Sequence, residues 1–121
     1  MILADTSVWV SHFRGEDTLL SDERIVAMPW LLHPFVHGEL LLGGLPSNHQ
    51  ARQILSSIAS AIVAEPTEAN AFIQWAELAG TGIGYVDAHL LLSARLSAAQ
   101  LITLDKRLLA QAEHLGLAYT P

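Results

Sequence analysis

Short apolar runs alternate along the chain with segments whose apolar residues recur every three or four positions. The runs predict buried strands at residues 1–4, 30–33, 61–64, 100–104 and 117–119. The intervening segments predict helices that begin near residues 6, 18, 34, 47, 67, 87 and 105. Strands that alternate with helices favour an α/β fold, in which helices cover both faces of a parallel sheet. Because the chain shows no linker, repeat or low-complexity segment, we expect one domain over residues 1–121.

The composition predicts an apolar surface that another protein covers. Of the 121 residues 51% are apolar, a share that leaves out eight glycines and exceeds the usual one for a soluble domain. We therefore expect a partner or a second copy on part of the surface. The absence of cysteine excludes disulfides, thiolate metal sites and a cysteine nucleophile. No apolar stretch approaches the roughly 18–20 residues that span a bilayer, and no signal peptide is predicted, so we expect a cytoplasmic protein with no membrane partner.

Four acidic residues stand at positions that a parallel α/β fold brings together. Asp5 and Asp105 each close an apolar strand, Asp87 opens a helix, and Glu39 lies in a helix between apolar neighbours. Ligands in such folds bind at the carboxyl ends of the strands. We therefore expect the four carboxylates to form one cluster at this edge of the sheet.

A divalent metal ion is the expected counter-charge for this cluster. A carboxylate in apolar surroundings is unfavourable when ionised unless something compensates it, and the chain has only six Lys and Arg against twelve Asp and Glu. Several hard oxygen ligands suit Mg²⁺ or Mn²⁺ rather than zinc. Two such ions, roughly 3.5–4 Å apart, can stabilise both the attacking and the leaving oxygen of a phosphoryl displacement. The cluster therefore predicts a metal-dependent phosphodiesterase.

The formal net charge of −6 at first argues against a nucleic-acid partner. Without the four candidate metal ligands the balance is −6 + 4 = −2. An enzyme that meets phosphate through bound cations needs less basic surface than a passive binder. The charge therefore argues against tight non-specific binding and leaves catalysis on nucleic acid open.

Each acidic residue also has a purely structural interpretation. Asp5, Asp87 and Asp105 are all placed to cap a helix, where Asp is favoured for that reason alone. Glu39 falls inside its helix, so its alternative role is that of a solvent-facing glutamate. The prediction of a metal site depends on all four residues converging.

Five polar residues near these acids are secondary candidates. Ser7 and Thr103 can orient a ligand carboxylate or water, or serve as a helix cap and a buried strand hydroxyl. Lys106 and Arg107 follow Asp105 and can steady substrate phosphates, or form a solvated helix face. His37, close to Glu39, is a candidate substrate or second-layer contact.

Zinc is the weaker interpretation of the histidines. His33 and His37 are four residues apart, but Pro34 stands between them, no HExxH pattern is present, and no third soft ligand is evident. Nucleotide-binding glycine loops and the GxSxG nucleophile turn are also missing from the sequence.

Four motifs, in order along the chain, now bear on the family. They are residues 5–9 (DTSVW), 33–40 (HPFVHGEL), 82–89 (GIGYVDAH) and 103–107 (TLDKR). In order and spacing they resemble the PIN-domain ribonucleases, and most closely the VapC-type toxins of bacterial toxin–antitoxin pairs. Each motif alone is weak, but the four in sequence are specific, and the resemblance covers essentially the whole chain.

The resemblance implies a PIN-like three-layer sandwich with a five-stranded parallel sheet. It implies an acidic pocket for Mg²⁺, with Mn²⁺ as a substitute. Asp5 and Asp87 match the principal metal ligands of the family, and Glu39 and Asp105 match the other two pocket acids. Basic residues that many relatives carry after the second motif, beyond Gly43 and Gly44, are replaced here by residues 45–49 (LPSNH).

The resemblance also implies a function. Ser7 and Thr103 match polar positions beside the pocket acids. Such toxins typically cleave RNA endonucleolytically, form dimers, and are held inactive by a cognate antitoxin that covers an apolar groove. We therefore expect an endoribonuclease toxin in which a metal-activated water attacks the scissile phosphate and leaves 5′-phosphate and 3′-hydroxyl ends.

Three other functions stay open on the residues alone. One is a non-catalytic PIN-like module that only binds a partner. Another is a metal phosphohydrolase that acts on DNA or on small phosphate esters. A receiver-like phosphoacceptor fits less well, because only one acid closes the first strand and Lys106 directly follows Asp105.

Overall fold

A four-stranded parallel sheet forms the centre of the protein in a computed structural model, which describes residues 1–16, 23–43 and 49–120. The strands are β1 (Ile2–Ala4), β2 (Trp30–Leu32), β3 (Ala59–Ser60) and β4 (Gln100–Ile102). Their order across the sheet is β3-β2-β1-β4, and every pairing is parallel. In register, Ile2 of β1 lies opposite Trp30 on one side and Gln100 on the other. The segment after β1 therefore starts at the middle of the carboxyl edge, beside the segment after β4.

Seven helices are described along the chain. They are α1 (Thr6–Phe13), α2 (Glu23–Val26), α3 (Pro34–Leu42), α4 (His49–Ser57), α5 (Pro66–Trp75), α6 (Tyr85–Leu96) and α7 (Lys106–His114). Helix α1 packs against α3, and α5 packs against α6, which also contacts β4. Parallel strands joined through helices confirm the α/β prediction and bring the amino-terminal ends of α1, α3, α6 and α7 toward the carboxyl edge of the sheet.

The core lies between the sheet and its helices. All three residues of β1 are buried, and so is every residue of α6 from Ala88 to Ala94. A helix that is apolar nearly all round must be buried in this way. The largest side chains with almost no exposure include Ile2, Leu3, Leu90, Leu91, Leu101, Leu108, Val8 and Val36. Among the described residues, no helix is long and apolar enough to cross a membrane.

The prediction of a fifth strand at residues 117–119 is wrong in extent. This segment makes a single parallel bridge, between Leu101 and Ala118. Two backbone hydrogen bonds support it, from Leu101 N–H to Leu117 C=O over 2.7 Å and from Tyr119 N–H to Leu101 C=O over 3.0 Å. Because both bonds involve Leu101 alone, the pairing does not extend into a strand.

The third strand was predicted two residues too late. It lies at Ala59–Ser60, and residues 61–64 follow it without strand pairing. The N–H of Ile62 instead donates to the side chain of Ser97 over 2.9 Å, and Ile62 and Val63 are exposed. Ala61 and Ala64 are the buried residues of this apolar run, which predicted a strand that backbone pairing does not form.

The predicted helices are all found where the structure describes them, with shifted ends. The helix predicted to open at Asp87 begins at Tyr85, and Asp105 caps α7 from outside. The helix predicted to begin near residue 67 begins at Pro66 and ends at Trp75, and the chain adopts a left-handed conformation at Glu77. Residues 18–22 of the second predicted helix, and the predicted cap at Ser47, lie outside the described residues.

Candidate active site

Asp5 is the buried member of the four predicted acids. It follows β1 directly and caps α1, because its Oδ1 accepts the Val8 N–H over 3.2 Å. Ser7 Oγ donates to the same oxygen over 2.6 Å, and Thr103 Oγ1 donates to Oδ2 over 2.5 Å. Burial raises the pKa of the Asp5 carboxyl above its usual value, and these donated bonds oppose that rise. The side chain is therefore fixed in orientation although its charge is only partly compensated.

Ser7 and Thr103 also tie the two neighbouring strand ends together. Ser7 Oγ accepts the Leu104 N–H over 3.1 Å, and Thr103 Oγ1 accepts the Asp105 N–H over 3.0 Å. Each hydroxyl thus donates to Asp5 and accepts from the backbone that leads to Asp105. The structure places both predicted polar residues on Asp5, and it links the candidate acids after β1 and β4 through them.

Asp87 lies half-buried in the first turn of α6, where the charges of the other three acids affect its pKa. Its helix is capped by Gly84, and the carboxylate hydrogen-bonds to the Gly84 backbone. Burial raises the pKa of Asp87, and repulsion from Asp5, Asp105 and Glu39 raises it further. All four predicted acids therefore lie close enough to interact electrostatically. Asp87 is not the N-cap that its alternative interpretation required.

Asp105 and Glu39 form the exposed edge of the cluster. Asp105 caps α7, where Oδ1 accepts the Arg107 N–H over 2.9 Å and the Leu108 N–H over 3.1 Å. Its Oδ2 accepts no bond from any described residue. Glu39 accepts the Thr6 hydroxyl over 2.8 Å. Thr6 was not predicted as a site residue, although it lies in the first motif, directly after Asp5.

The donor chemistry of the cluster suits a hard divalent cation. It consists of four carboxylates, two of them with pKa values raised by burial and mutual repulsion, and a cation would relieve both effects. As they stand, however, no three His, Asp or Glu side chains among the described residues form a ready-made ion cage. An ion would therefore have to draw the exposed carboxylates inward.

The three candidate substrate contacts lie at two separate places. Lys106 and Arg107 are exposed in the first turn of α7, next to Asp105. His37 lines a separate cavity of about 150 Å³ over the carboxyl ends of β2 and β3. Side chains two residues apart on a helix point in nearly opposite directions. His37 and Glu39 therefore face different sides of α3. Its role as a substrate contact stays a prediction.

His33 and His89 form a buried pair between the start of α3 and the first turns of α6. His33 caps α3, because its Nδ1 accepts the Phe35 N–H over 3.0 Å, and its ring lies 6.2 Å from that of His89. Both rings also contact Phe35, and His89 contacts Tyr85. Neither His33 Nε2 nor His89 Nδ1 has a hydrogen-bond partner among the described residues. Zinc was the weaker interpretation of His33, and the structure places this residue and His89 in an aromatic cluster.

This pair makes a prediction about stability. Burial, with a smaller repulsion from His89, lowers the pKa of His33 to about 4, below its usual 6.5. Between pH 6.5 and pH 4, His33 is therefore protonated in the unfolded chain and neutral in the folded protein. The contribution of neutral His33 to the free energy of unfolding is fully present above pH 6.5. It is lost as the pH drops toward 4, by at most about 3 kcal/mol.

His33→Asn is the variant that checks this prediction. Asparagine can keep the helix cap but does not titrate, so the decline in urea-unfolding free energy between pH 7 and pH 5 should become smaller. The pKa of His89 is also lowered, so some of the slope remains in the variant. An unchanged slope in His33→Asn would contradict the assignment to His33.

Comparisons with known proteins agree with this fold. A family model described as the PIN domain matches residues 2–115. Two proteins named Ribonuclease VapC32, from Mycobacterium tuberculosis strains CDC 1551 / Oshkosh and ATCC 25618 / H37Rv, are each 37% identical over 123 residues, which cover 98% of this chain and 95% of theirs. The chain therefore belongs to the PIN-domain family, among its VapC-type ribonucleases. The resemblance inferred from the four motifs is confirmed.

A solved structure shows the same fold at much lower identity. The crystal structure of PAE2754 from Pyrobaculum aerophilum matches with a TM-score of 0.61, covering 94% of this chain and 85% of that one. The two sequences are 17% identical, so this likeness concerns the fold alone.

Proposed function

We propose that this protein is a metal-dependent endoribonuclease that acts as the toxin of a toxin–antitoxin pair. The observation that carries the proposal is that the negative charges of Asp5, Glu39 and Asp105 all raise the pKa of Asp87 at the carboxyl edge of the sheet. The relatives named Ribonuclease VapC32 support RNA as the substrate. Hard carboxylate ligands favour Mg²⁺, with Mn²⁺ as a substitute.

The four acids divide the work according to their surroundings. Asp5 is buried and held by two hydroxyl groups, so it provides a fixed ligand at the base of the cluster. Asp87 is half-buried beside it, and the exposed Glu39 and Asp105 complete the set on the substrate side. Together they would hold Mg²⁺, which would supply charge stabilisation for the phosphate and for the attacking water. The first turn of α7 also supplies cations, Lys106 and Arg107, of which at least one would contact the substrate phosphates at the rim.

An exposed apolar surface supports a protein partner. Helix α3 carries Phe35, Leu41 and Leu42, and Leu42 is 91% exposed. Clustered exposed apolar side chains mark protein–protein interaction sites. We propose that the cognate antitoxin and a second copy of the chain cover apolar surface of this kind, in the cytoplasm. A strictly monomeric elution profile at high protein concentration would remove the second copy from this proposal.

A non-catalytic, partner-binding module is the second candidate. The lack of a ready-made ion cage among the described residues favours it. It predicts that the four acids can all be replaced by Asn or Gln without loss of function. It also predicts that metal ions bind no more tightly to this protein than to a protein without the cluster.

Cleavage assays with three substrates separate the proposed function from its alternatives. We expect Mn²⁺ or Mg²⁺ to support cleavage of a pool of cellular RNA, and EDTA to abolish it, because the carboxylates need the ion to act on phosphate. Single-stranded DNA and a generic phosphomonoester should be left intact. Cleavage of either one in preference to RNA would contradict the proposed substrate, and no cleavage of any substrate would favour the non-catalytic module.

A further inference from the structure

The side chain of Arg107 lies against the backbone of Gly82, in the loop that leads into α6. A Cβ atom at Gly82 would come within 3.0 Å of Arg107 Cδ and 3.1 Å of its Nη1. Gly82 also has a φ of +86°, a conformation that side chains other than glycine rarely adopt. An alanine at Gly82 would therefore press on the Arg107 side chain, which would have to shift by a few tenths of an ångström.

This contact spans the two sides of the acidic cluster. The backbone N–H of Arg107 donates to Asp105 Oδ1, at the start of α7. Two residues after Gly82, the Gly84 backbone hydrogen-bonds to the carboxylate of Asp87. Arg107 therefore reaches from one candidate metal ligand to the loop that positions another.

Arg107 lies two residues after Asp105 in the chain, and its positive charge is not paired to a carboxylate among the described residues. Its described interactions are the backbone bond to Asp105 and the packing on Gly82, and it makes no ion pair with a described carboxylate. A guanidinium group offers five N–H donors in a planar fork that matches a phosphate. The side chain of Lys106, the preceding residue, makes no comparable contact among the described residues.

We propose that Arg107 is the phosphate-binding residue of this site, and that Gly82 is the positioning residue that seats its guanidinium group. The proposal depends on the proposed function, since it assigns a contact to the RNA substrate. It deepens that function by separating Arg107 from Lys106. A seated guanidinium group loses less freedom on binding phosphate than an unrestrained one does.

The first test measures RNA binding apart from cleavage. Random-sequence single-stranded RNA is titrated by fluorescence anisotropy into the Asp87→Asn protein, with and without Arg107→Ala, over a range of salt concentrations. We expect Arg107→Ala to weaken binding by about 10- to 100-fold. The slope of log affinity against log salt should fall by about 0.7 for one lost phosphate contact on a single strand. Arg107→Lys should restore the slope but not the full affinity, because lysine keeps the charge and loses the fork.

The second test uses two matched glycines. Gly82→Ala and Gly80→Ala impose similar backbone strain, since φ is +86° at Gly82 and +78° at Gly80, but a Cβ at Gly80 meets nothing within 4 Å. We expect Gly82→Ala to weaken RNA binding and raise KM more than it lowers kcat, with Gly80→Ala close to wild type. Gly82→Ala should have no further effect in the Arg107→Ala background, because both changes remove the same contact.

Equal RNA affinity and salt slope in the wild type and Arg107→Ala would overturn the role of Arg107. Equal behaviour of Gly82→Ala and Gly80→Ala would overturn the role of Gly82. A merely structural role for Arg107 would lower stability without moving the salt slope. Mn²⁺ binding keeps these failures apart from failure of the proposed function. Arg107→Ala should bind Mn²⁺ like the wild type, whereas a wild type that neither binds Mn²⁺ nor cleaves RNA ends both proposals.

Discussion

Replacing Asp87 with Asn is expected to abolish RNA cleavage and, at the same time, to stabilise the metal-free protein at neutral pH. The loss of cleavage should be at least about 100-fold, because a metal ligand is removed and even outer-layer changes reduce activity by 10- to 100-fold. The gain in stability follows from the surroundings of the carboxylate. Burial and repulsion from Asp5, Asp105 and Glu39 disfavour the ionised form of Asp87 in the folded protein.

The pH dependence of that gain has a definite sign. The folded-state pKa of Asp87 is raised, so the wild type is most stable, as far as this group is concerned, below the usual aspartate pKa of 3.8. Stability is lost as the pH rises through the folded-state pKa. Asparagine does not ionise and can still accept the Gly84 N–H. The advantage of Asp87→Asn should therefore be present at pH 7 and vanish below pH 3.8.

Urea unfolding with and without Mn²⁺ measures this effect. Metal at 100 times its dissociation constant should stabilise the wild type by about 2.7 kcal/mol and leave the variant unchanged. Glu113→Gln is the matched control, since it removes one exposed charge at the opposite end of α7. An Asp87→Asn protein that is less stable than wild type at pH 7 would contradict the electrostatic account.

Thr103→Val is expected to weaken metal binding by about 10- to 100-fold, although the substitution replaces none of the candidate metal ligands. Valine keeps the shape of threonine and removes the hydroxyl that donates to Asp5 Oδ2 and accepts the Asp105 N–H. The buried carboxylate then loses a bond that held its orientation and lowered its pKa. We also expect a loss of about 1–3 kcal/mol of stability, because buried polar groups are left unpaired.

Thr103→Ser separates these effects from simple packing. Serine keeps the hydroxyl and loses one methyl group, so its Mn²⁺ affinity by calorimetry should stay near that of the wild type. If Thr103→Val unfolds more easily but binds Mn²⁺ as well as the wild type does, then Thr103 only connects the strand ends, and Asp5 is not positioned through it.

The elements with strong local signals were predicted from the sequence. Strand β1 is a pure apolar run closed by an acid, and α6 has apolar residues on every side, so both were found. The errors fall where pairing depends on distant groups. Residues 61–64 look like a strand, but Ile62 donates to Ser97, thirty-five residues away. The bridge at Ala118 is likewise limited by a single partner, Leu101.

The four acids were predicted from their positions at strand and helix ends, and the structure brings them into electrostatic contact. The sequence could not distinguish a cap from a ligand, since Asp5 and Asp105 prove to be caps whose positions also suit ligands. Gly82 was noted only as the first residue of the third motif. Its contact with Arg107 depends on the packing of α7 beside that loop, which no local pattern encodes.

The most direct test of the central claim is calorimetric titration of Mn²⁺ into the purified, partner-free protein and into Asp87→Asn at neutral pH. Metal binding needs no knowledge of the target RNA. The account predicts saturable binding by the wild type and by Glu113→Gln, and its loss in a folded Asp87→Asn protein. Equal binding by the wild type and Asp87→Asn, or no binding by the wild type, would contradict a metal site built on these carboxylates.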